Sequence, residues 1–262
     1  MKVKLLAYTR GRDAQGDTYR GDRMCGLAAA TCTSQTVPDA PTAATDRALE
    51  RALESGHESV IEHWSATFAV EGVSRALTHQ LVRHRVASYS QQSQRYVSME
   101  GADYIRPASI DRCLEPATPD GCPMNIEYVN TVRRCFETYR KMIEAGIPEE
   151  DARYVLPNAC TTNIIITMNA RELRHFFSLR CCERAQWEIR QLANIMLTIC
   201  RELAPAIFAD AGPTCHSLGY CREERSCGRA PKLCDIMDTI AELDGLADIR
   251  DEQRTAEREC HR

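Results

Sequence analysis

Residues 72–99, GVSRALTHQLVRHRVASYSQQSQRYVSM, carry four arginines (Arg75, Arg83, Arg85, Arg95), two histidines (His79, His84) and no acid. Acids make up 37 of the 262 residues of the chain, so their absence here concentrates positive charge. Val73, Leu77, Leu81 and His84 recur at helical spacing, with Ala76 and Gln80 on the same side, which predicts a helix ending near Arg85. Ser88 to Arg95 is polar without that period and reads as a loop; Tyr96 to Ser98 reads as the start of a strand. Arg83 and Arg85 stand two apart and do not share a helix face. They are placed to grip two anions on either side of the backbone. Ser90, Gln91, Gln92, Ser93, Gln94 and Arg95 add the hydroxyls, amides and guanidinium fork that a sugar phosphate wants. On charge alone, a solvated basic face or a nucleic-acid patch is the alternative. With only Tyr89 and Tyr96 interleaved, stacking on single-stranded nucleic acid is thinly supported.

Outward from this stretch the pattern is α+β. Val3–Tyr8 reads as a strand, Arg23–Thr33 as a short helix and Thr45–Glu54 as another, with Gly56 where a helix C-terminus wants it. Trp64–Val73 alternates as a strand. Residues 100–124 hold Pro107, Pro116, Pro119 and Pro123 and read as loop. Helices are expected over Asn125–Ala145 and Pro148–Leu156. The isoleucines of Asn163–Met168 suggest a buried strand. Asn169 and Glu172 have capping-box spacing and open a long helical region, Ala170–Ala204, with Trp187 expected in the core. One α+β domain over 1–220 precedes a Cys- and charge-rich tail, 221–262, in which Asp235–Arg262 suggests a short amphipathic helix.

The formal net charge of −4 argues against wholesale coating of nucleic acid. No apolar run approaches the ~20 residues of a membrane span, and the apolar stretch near Met1 is too short for a signal-peptide core. A cytoplasmic protein is expected, with most of the 14 cysteines reduced. Cys215, Cys221 and Cys227 recur every six residues, with His216 beside the first and Cys234 beyond. Four soft ligands could make a zinc site, but the spacing is not the tight C-x2-C pattern, so no metal is expected. Cys181 and Cys182 sit next to Arg180, where a nearby cation would favour a thiolate; packing on a helix is the favoured reading.

Arg83-His84-Arg85, seven residues, and then Ser93 resembles the signature of flavin-dependent thymidylate synthases. His57-Glu58-Ser59-Val60-Ile61-Glu62-His63 upstream is similar to the motif that precedes a strand in that family. Gln80, Ser93-Gln94-Arg95-Tyr96, Arg153, Leu156-Pro157, Asn169-Ala170-Arg171, Leu179-Arg180 and Ala185-Gln186-Trp187-Glu188 also fit, in order, over roughly residues 1–220. The resemblance implies an α+β fold with a mixed sheet flanked by long helices, and a homotetramer with active sites between subunits. It implies FAD as cofactor, dUMP as substrate, 5,10-methylenetetrahydrofolate as carbon donor and NADPH as reductant. Ser59, Arg83, His84, Arg85, Gln91, Asn169, Arg171 and His175 match flavin-contacting positions. Gln80, Arg83, Gln91, Ser93, Gln94, Arg95, Arg153 and Arg180 match dUMP-contacting positions, with Arg180 matching the residue that activates the pyrimidine. His57 matches a position near the folate. Gln91 stands where some members have Glu, His175 where others have Asn, and Arg184 where others have His. The resemblance implies no enzyme nucleophile, and on charge and apolar run length neither a nucleic acid nor a membrane is expected as partner.

Overall fold

The computed structural model describes residues 1–114, 123–232, 234, 236 and 237. The chain runs through β1 (Lys2–Tyr8), a hairpin of β2 (Arg10–Arg12) and β3 (Thr18–Arg20), helices α1 (Gly21–Thr31) and α2 (Ala43–Glu54), a 3-10 turn (Glu58–His63) and β4 (Ser65–Ser74). There follow α3 (Arg75–Leu81), β5 (Ala87–Gln91), α4 (Ala108–Asp111), α5 (Met124–Glu144), α6 (Glu149–Ala152) and β6 (Thr161–Asn169). Last come α7 (Ala170–Arg180), α8 (Trp187–Leu203), α9 (Pro205–Phe208) and α10 (Thr214–Leu218).

The α+β class is as expected. The main sheet has the order β1-β4-β6-β5. The resemblance implies a mixed sheet, but all three pairings here are antiparallel. Parallel neighbours would need crossover connections that return each strand in the same direction; here the helices between strands bring the chain back in the opposite one. On its inner face Ala66, Phe68 and Val70 of β4 stand opposite Met168, Ile166 and Ile164 of β6, and all six are at most 2% exposed. Helices α7 and α8 cover this face with Leu173, Phe176, Phe177, Ile189, Leu192 and Met196. The three isoleucines are not buried together: side chains alternate along a strand, so Ile165 points to the other face and is 43% exposed. A smaller second core gathers Met99, Tyr139, Ala152 and Cys160 under α5.

Three local expectations change. Ser88–Arg95 is not all loop, because Ala87–Gln91 forms the edge strand β5. Its inward side is Ala87, Tyr89 and Gln91 and its outward side two serines, so polarity hid the alternation. Tyr96–Ser98 is a turn rather than a strand. The helical region Ala170–Ala204 is broken at Cys181–Gln186, where Gln186 Oε1 accepts from the Glu188 and Ile189 amides and starts α8 afresh. Trp187, in the first turn of α8, is consequently 40% exposed and not core. The expected helix over Asp235–Arg262 lies outside the described residues, save 236 and 237.

The start of α3 is anchored to α8 through a buried carboxylate. Glu188 Oε1 accepts from Ser74 N at 2.8 Å and Oε2 from Ser74 Oγ at 2.5 Å. The same hydroxyl oxygen caps α3 by accepting from Leu77 N. At the other end of the core, Gly21 opens α1 against Trp64, which is fully buried and edge-on to Phe208. A Cβ at Gly21 would overlap both the Thr9 carbonyl oxygen and Trp64 Cδ1. Neither can retreat cheaply, so Gly21→Ala should destabilise the fold by about 2–3 kcal/mol. Urea unfolding measures this, and a change within about 0.5 kcal/mol would show that the contact yields.

Candidate active site

The turn between α3 and β5 carries Arg83, His84 and Arg85. His84 is 4% exposed, while Arg83 and Arg85 flank it on the surface. Tyr89, from β5, shapes this turn from below: its hydroxyl lies 2.9 Å from Leu81 O and 2.8 Å from His84 O. The imidazole then makes one contact at each nitrogen. Nδ1 lies 3.1 Å from Glu172 Oε1, and Nε2 accepts from Arg180 Nε at 3.1 Å. Glu172 and Arg180 are both on α7, whose N-terminus is capped by Asn169 Oδ1 accepting from Glu172 N. The ring is wedged edge-on against Phe176, centroids 5.0 Å apart, with His175 beside it. Residues 88 and 96 positions apart thus meet at one side chain.

Several depressions surround this unit. The first, about 480 Å³, is lined by Asn169, Arg171, Glu172 and His175, with Glu58, Glu62 and Asp210 around it. Its wall is braced by Arg174, which donates to Glu58 Oε1 (3.2 Å) and forks onto both oxygens of Asp210 (2.7 and 3.0 Å). That fork holds the Asp210 carboxyl below its usual range. Arg171 pairs with Glu62 at 2.6 Å. The second depression, also about 480 Å³, is lined by Arg180, Arg184, Cys182, Cys215 and Cys221. The third, about 260 Å³, holds Gln94 and Arg153 together with Arg75 and His79. A further one, about 310 Å³, holds His57 and Ser59.

A family model described as thymidylate synthase complementing protein matches residues 16–206. A flavin-dependent thymidylate synthase of Geobacter sulfurreducens is 52% identical over 188 residues, covering 71% of this chain and 77% of the relative. The chain belongs to the flavin-dependent thymidylate synthases. It is therefore an enzyme of thymidylate synthesis that uses a flavin. A synthase of the same name from Clostridium tetani is 43% identical over 255 residues, covering 90% of this chain and 96% of that one.

Within this family member the sequence-derived site residues fall into groups. Asn169, Arg171 and His175 share one cavity, with His84 buried behind it. Arg180 opens onto the next, and Gln94 and Arg153 onto a third. Arg95 joins the third group through Glu150, whose carboxylate takes Arg95 Nε at 3.1 Å and whose backbone oxygen takes Arg153 Nε at 2.9 Å. Ser93 Oγ accepts from Arg95 N. Gln91 points inward, with Nε2 donating to Thr78 Oγ1 at 3.0 Å. Gln80 is half-buried beside the Arg83 turn, while His57 and Ser59 lie apart on the α2 side. Sequence spacing gives Glu172 a helix-capping role and no other. The spacing Asn169–Glu172 locates its backbone contact, but its side chain turns to His84. Arg75 and His79 belong to the charged stretch, where nothing in the sequence gives them a role. The cysteines Cys182, Cys215 and Cys221 share a cavity wall, and among the described residues no group of three or more His, Cys, Asp or Glu is placed to hold a metal ion. Cys181 is buried, which pushes its thiol up to about 12.

Burial, then the nearby Arg180 and His175, pull His84 down to about 4. The imidazole is neutral at pH 7, as a ring accepting from a guanidinium must be, so its contact with Glu172 is a hydrogen bond and not an ion pair. In an unfolded chain the ring titrates near 6.5. Below that pH the unfolded state takes up a proton that the folded state refuses. The stability tied to neutral His84 is thus complete above about 6.5 and is lost as pH falls toward 4. Burial raises the Glu172 carboxyl, so that group works with the opposite sign. Unfolding measured from about pH 7 down to about pH 4.5 should cost the wild type on the order of 1–3 kcal/mol more than His84→Gln. Equal losses in the two proteins would remove His84 as an acid-sensitive group.

Proposed function

We propose that the chain converts dUMP to dTMP by reductive methylation in the cytoplasm, as a homotetramer. FAD is the cofactor, 5,10-methylenetetrahydrofolate the carbon donor, NADPH the reductant, and no enzyme nucleophile takes part. The observation that carries this reading is the contact of Arg180 with His84. It joins the Arg83-His84-Arg85 turn to the end of α7, so a flavin-side motif and a substrate-side arginine form one rigid unit.

The residues present fit a flavin. Arg171, His175 and Asn169 offer donors for a diphosphate at one cavity, and Glu58, Glu62 and Asp210 offer acceptors for hydroxyl or amino groups beside them. Asn169, Arg171 and His175 would hold it there, with Arg83, Arg85 and Ser59 reaching it from the surface of the same or a neighbouring subunit. When bound, the flavin supplies carbon transfer and reduction. What remains to the protein is orientation and charge. Uracil C5 is a poor nucleophile, and it attacks as an enolate would once density moves onto the ring from N3 and O4. A guanidinium held against the ring favours that anionic form, placing charge stabilisation where charge develops. Arg180 has this role: burial lowers its pKa, yet a guanidinium stays charged. Arg95, Arg153 and Ser93, with Gln94 beside them, hold the phosphate and fix the ring in place, and Gln80 and Gln91 serve the rest of the nucleotide. His57 faces the folate.

The apolar groups left on the surface support a site completed by other subunits. Ile165 on the outer sheet face, Val86 in the Arg83 turn, and Leu179 and Trp187 on either side of the α7–α8 break are all at least 40% exposed. Among the described residues no helix is long and apolar enough to cross a membrane. Burial pushes the Cys181 thiol up to about 12, which disfavours that cysteine as a nucleophile.

Arg180→Ala should still purify yellow with FAD while release of tritium from C5-labelled dUMP falls by about 10²-fold or more. Near-normal release would refute the assignment. The double change Cys181→Ser with Cys182→Ser should keep turnover within about threefold; loss of activity with the fold and flavin intact would restore a thiol nucleophile.

A further inference from the structure

Arg180 can orient a substrate only if its own guanidinium is oriented. Among the described residues its one hydrogen bond is Nε to His84 Nε2. Arginine has donors and no acceptor, so Nε2 must present a lone pair, and the single proton of a neutral imidazole must sit on Nδ1. Nδ1 lies 3.1 Å from Glu172 Oε1. Phe176 packs edge-on to the ring, which limits its rotation, so packing sets the ring plane and leaves the proton's position to the group at Nδ1. Glu172 is well placed to hold that proton. It is 8% exposed, and its backbone is fixed as the residue bonded to the Asn169 cap. In a capping box the acid at this place would reach back to the amide of the cap residue. Here the carboxylate turns to the histidine instead.

We propose that Glu172 is a positioning residue for Arg180: it holds the proton of His84 on Nδ1, so that Nε2 accepts from Arg180 Nε and the two Nη groups are left for the pyrimidine. Without an acceptor at Nδ1 the proton can move to Nε2. Two N–H groups would then face each other, and the guanidinium would swing away from its place at the second cavity. Neither atoms nor electrons change hands in this role; only one proton is kept on one nitrogen. The proposal rests on the assignment of Arg180 as the activating group.

The test uses the full-length flavin-loaded enzyme. In ¹⁵N-histidine-labelled wild type, the His84 signals, assigned by their loss in His84→Gln, should be those of the neutral Nδ1–H tautomer. Glu172→Ala should shift them toward the Nε2–H form and lower kcat for dTMP by about 10–100-fold, since small misplacements of a reacting group cost rates of this order. The KM for dUMP and the FAD content should stay within about twofold. Glu172→Gln, whose amide oxygen can still accept from Nδ1–H, should recover most of the rate. Three results would overturn the proposal: a wild-type His84 protonated on Nε2, a Glu172→Ala enzyme turning over within about twofold of wild type, or a rate loss explained by lost FAD. The first is read on wild type and stands even if Glu172→Ala fails to fold. If Arg180→Ala is inactive while Glu172→Ala is normal, only the positioning role falls. If Arg180→Ala itself turns over, the activation reading falls first.

Discussion

A lone pair on one buried histidine links the two halves of this site. Arg180 comes from the last turn of α7, and the Arg83-His84-Arg85 turn follows α3 about a hundred residues earlier in the chain. What joins them is a donor-only guanidinium meeting an acceptor nitrogen, backed by a carboxylate. The rest of the fold serves to keep that meeting in register. Glu188 pins the start of α3 to α8, Tyr89 fixes the carbonyls of the turn, and the Asn169 cap fixes the first turn of α7. The sheet supplies the frame, because β6 runs directly into α7 while its neighbour β5 leads directly out of the histidine turn.

Much of this was visible in the linear sequence, and the parts that were not share a cause. Arginines, glutamines and serines within residues 80–95 stand close together in the chain, so their chemistry can be read as a motif. Periodicity located α2, α5, β4 and β6 to within a few residues. It failed at the α7–α8 break because apolar residues keep their spacing across Cys181–Gln186, and a cap made by Gln186 leaves little trace in composition. It failed at β5 because an edge strand with two outward serines resembles a loop. The role of Glu172 is of another kind. Its side chain has two possible partners, a nearby amide or a distant imidazole, and only the packing of α7 against the Arg83-His84-Arg85 turn brings the second within reach.

The cysteines illustrate how burial separates chemistry from composition. Many thiols suggest metals, disulfides or nucleophiles. In this fold Cys25, Cys181 and Cys200 are interior groups whose thiols burial pushes up, by far enough that thiolate chemistry is suppressed. They behave as small apolar fillers of the core. The Cys182, Cys215 and Cys221 group lies instead along a cavity that Arg180 also lines, where the segment after α10 folds back against the α7–α8 break through Arg229 on Glu183 and Arg184 on the Arg225 carbonyl.

Glu150 gives the phosphate end of the proposed site a built-in placeholder. Its carboxylate rests on Arg95 while its carbonyl restrains Arg153, so the two guanidiniums are already turned toward a common oxygen-bearing neighbour. Both partners of the Arg95–Glu150 pair are about half exposed, and such a pair is worth at most about 1 kcal/mol. On the proposed assignment, a phosphate dianion binding at Arg95 and Arg153 would evict it at small cost, whereas an uncharged nucleoside would have nothing with which to evict it. Selection for the phosphorylated form of a base would then begin before the ring reaches the chemistry.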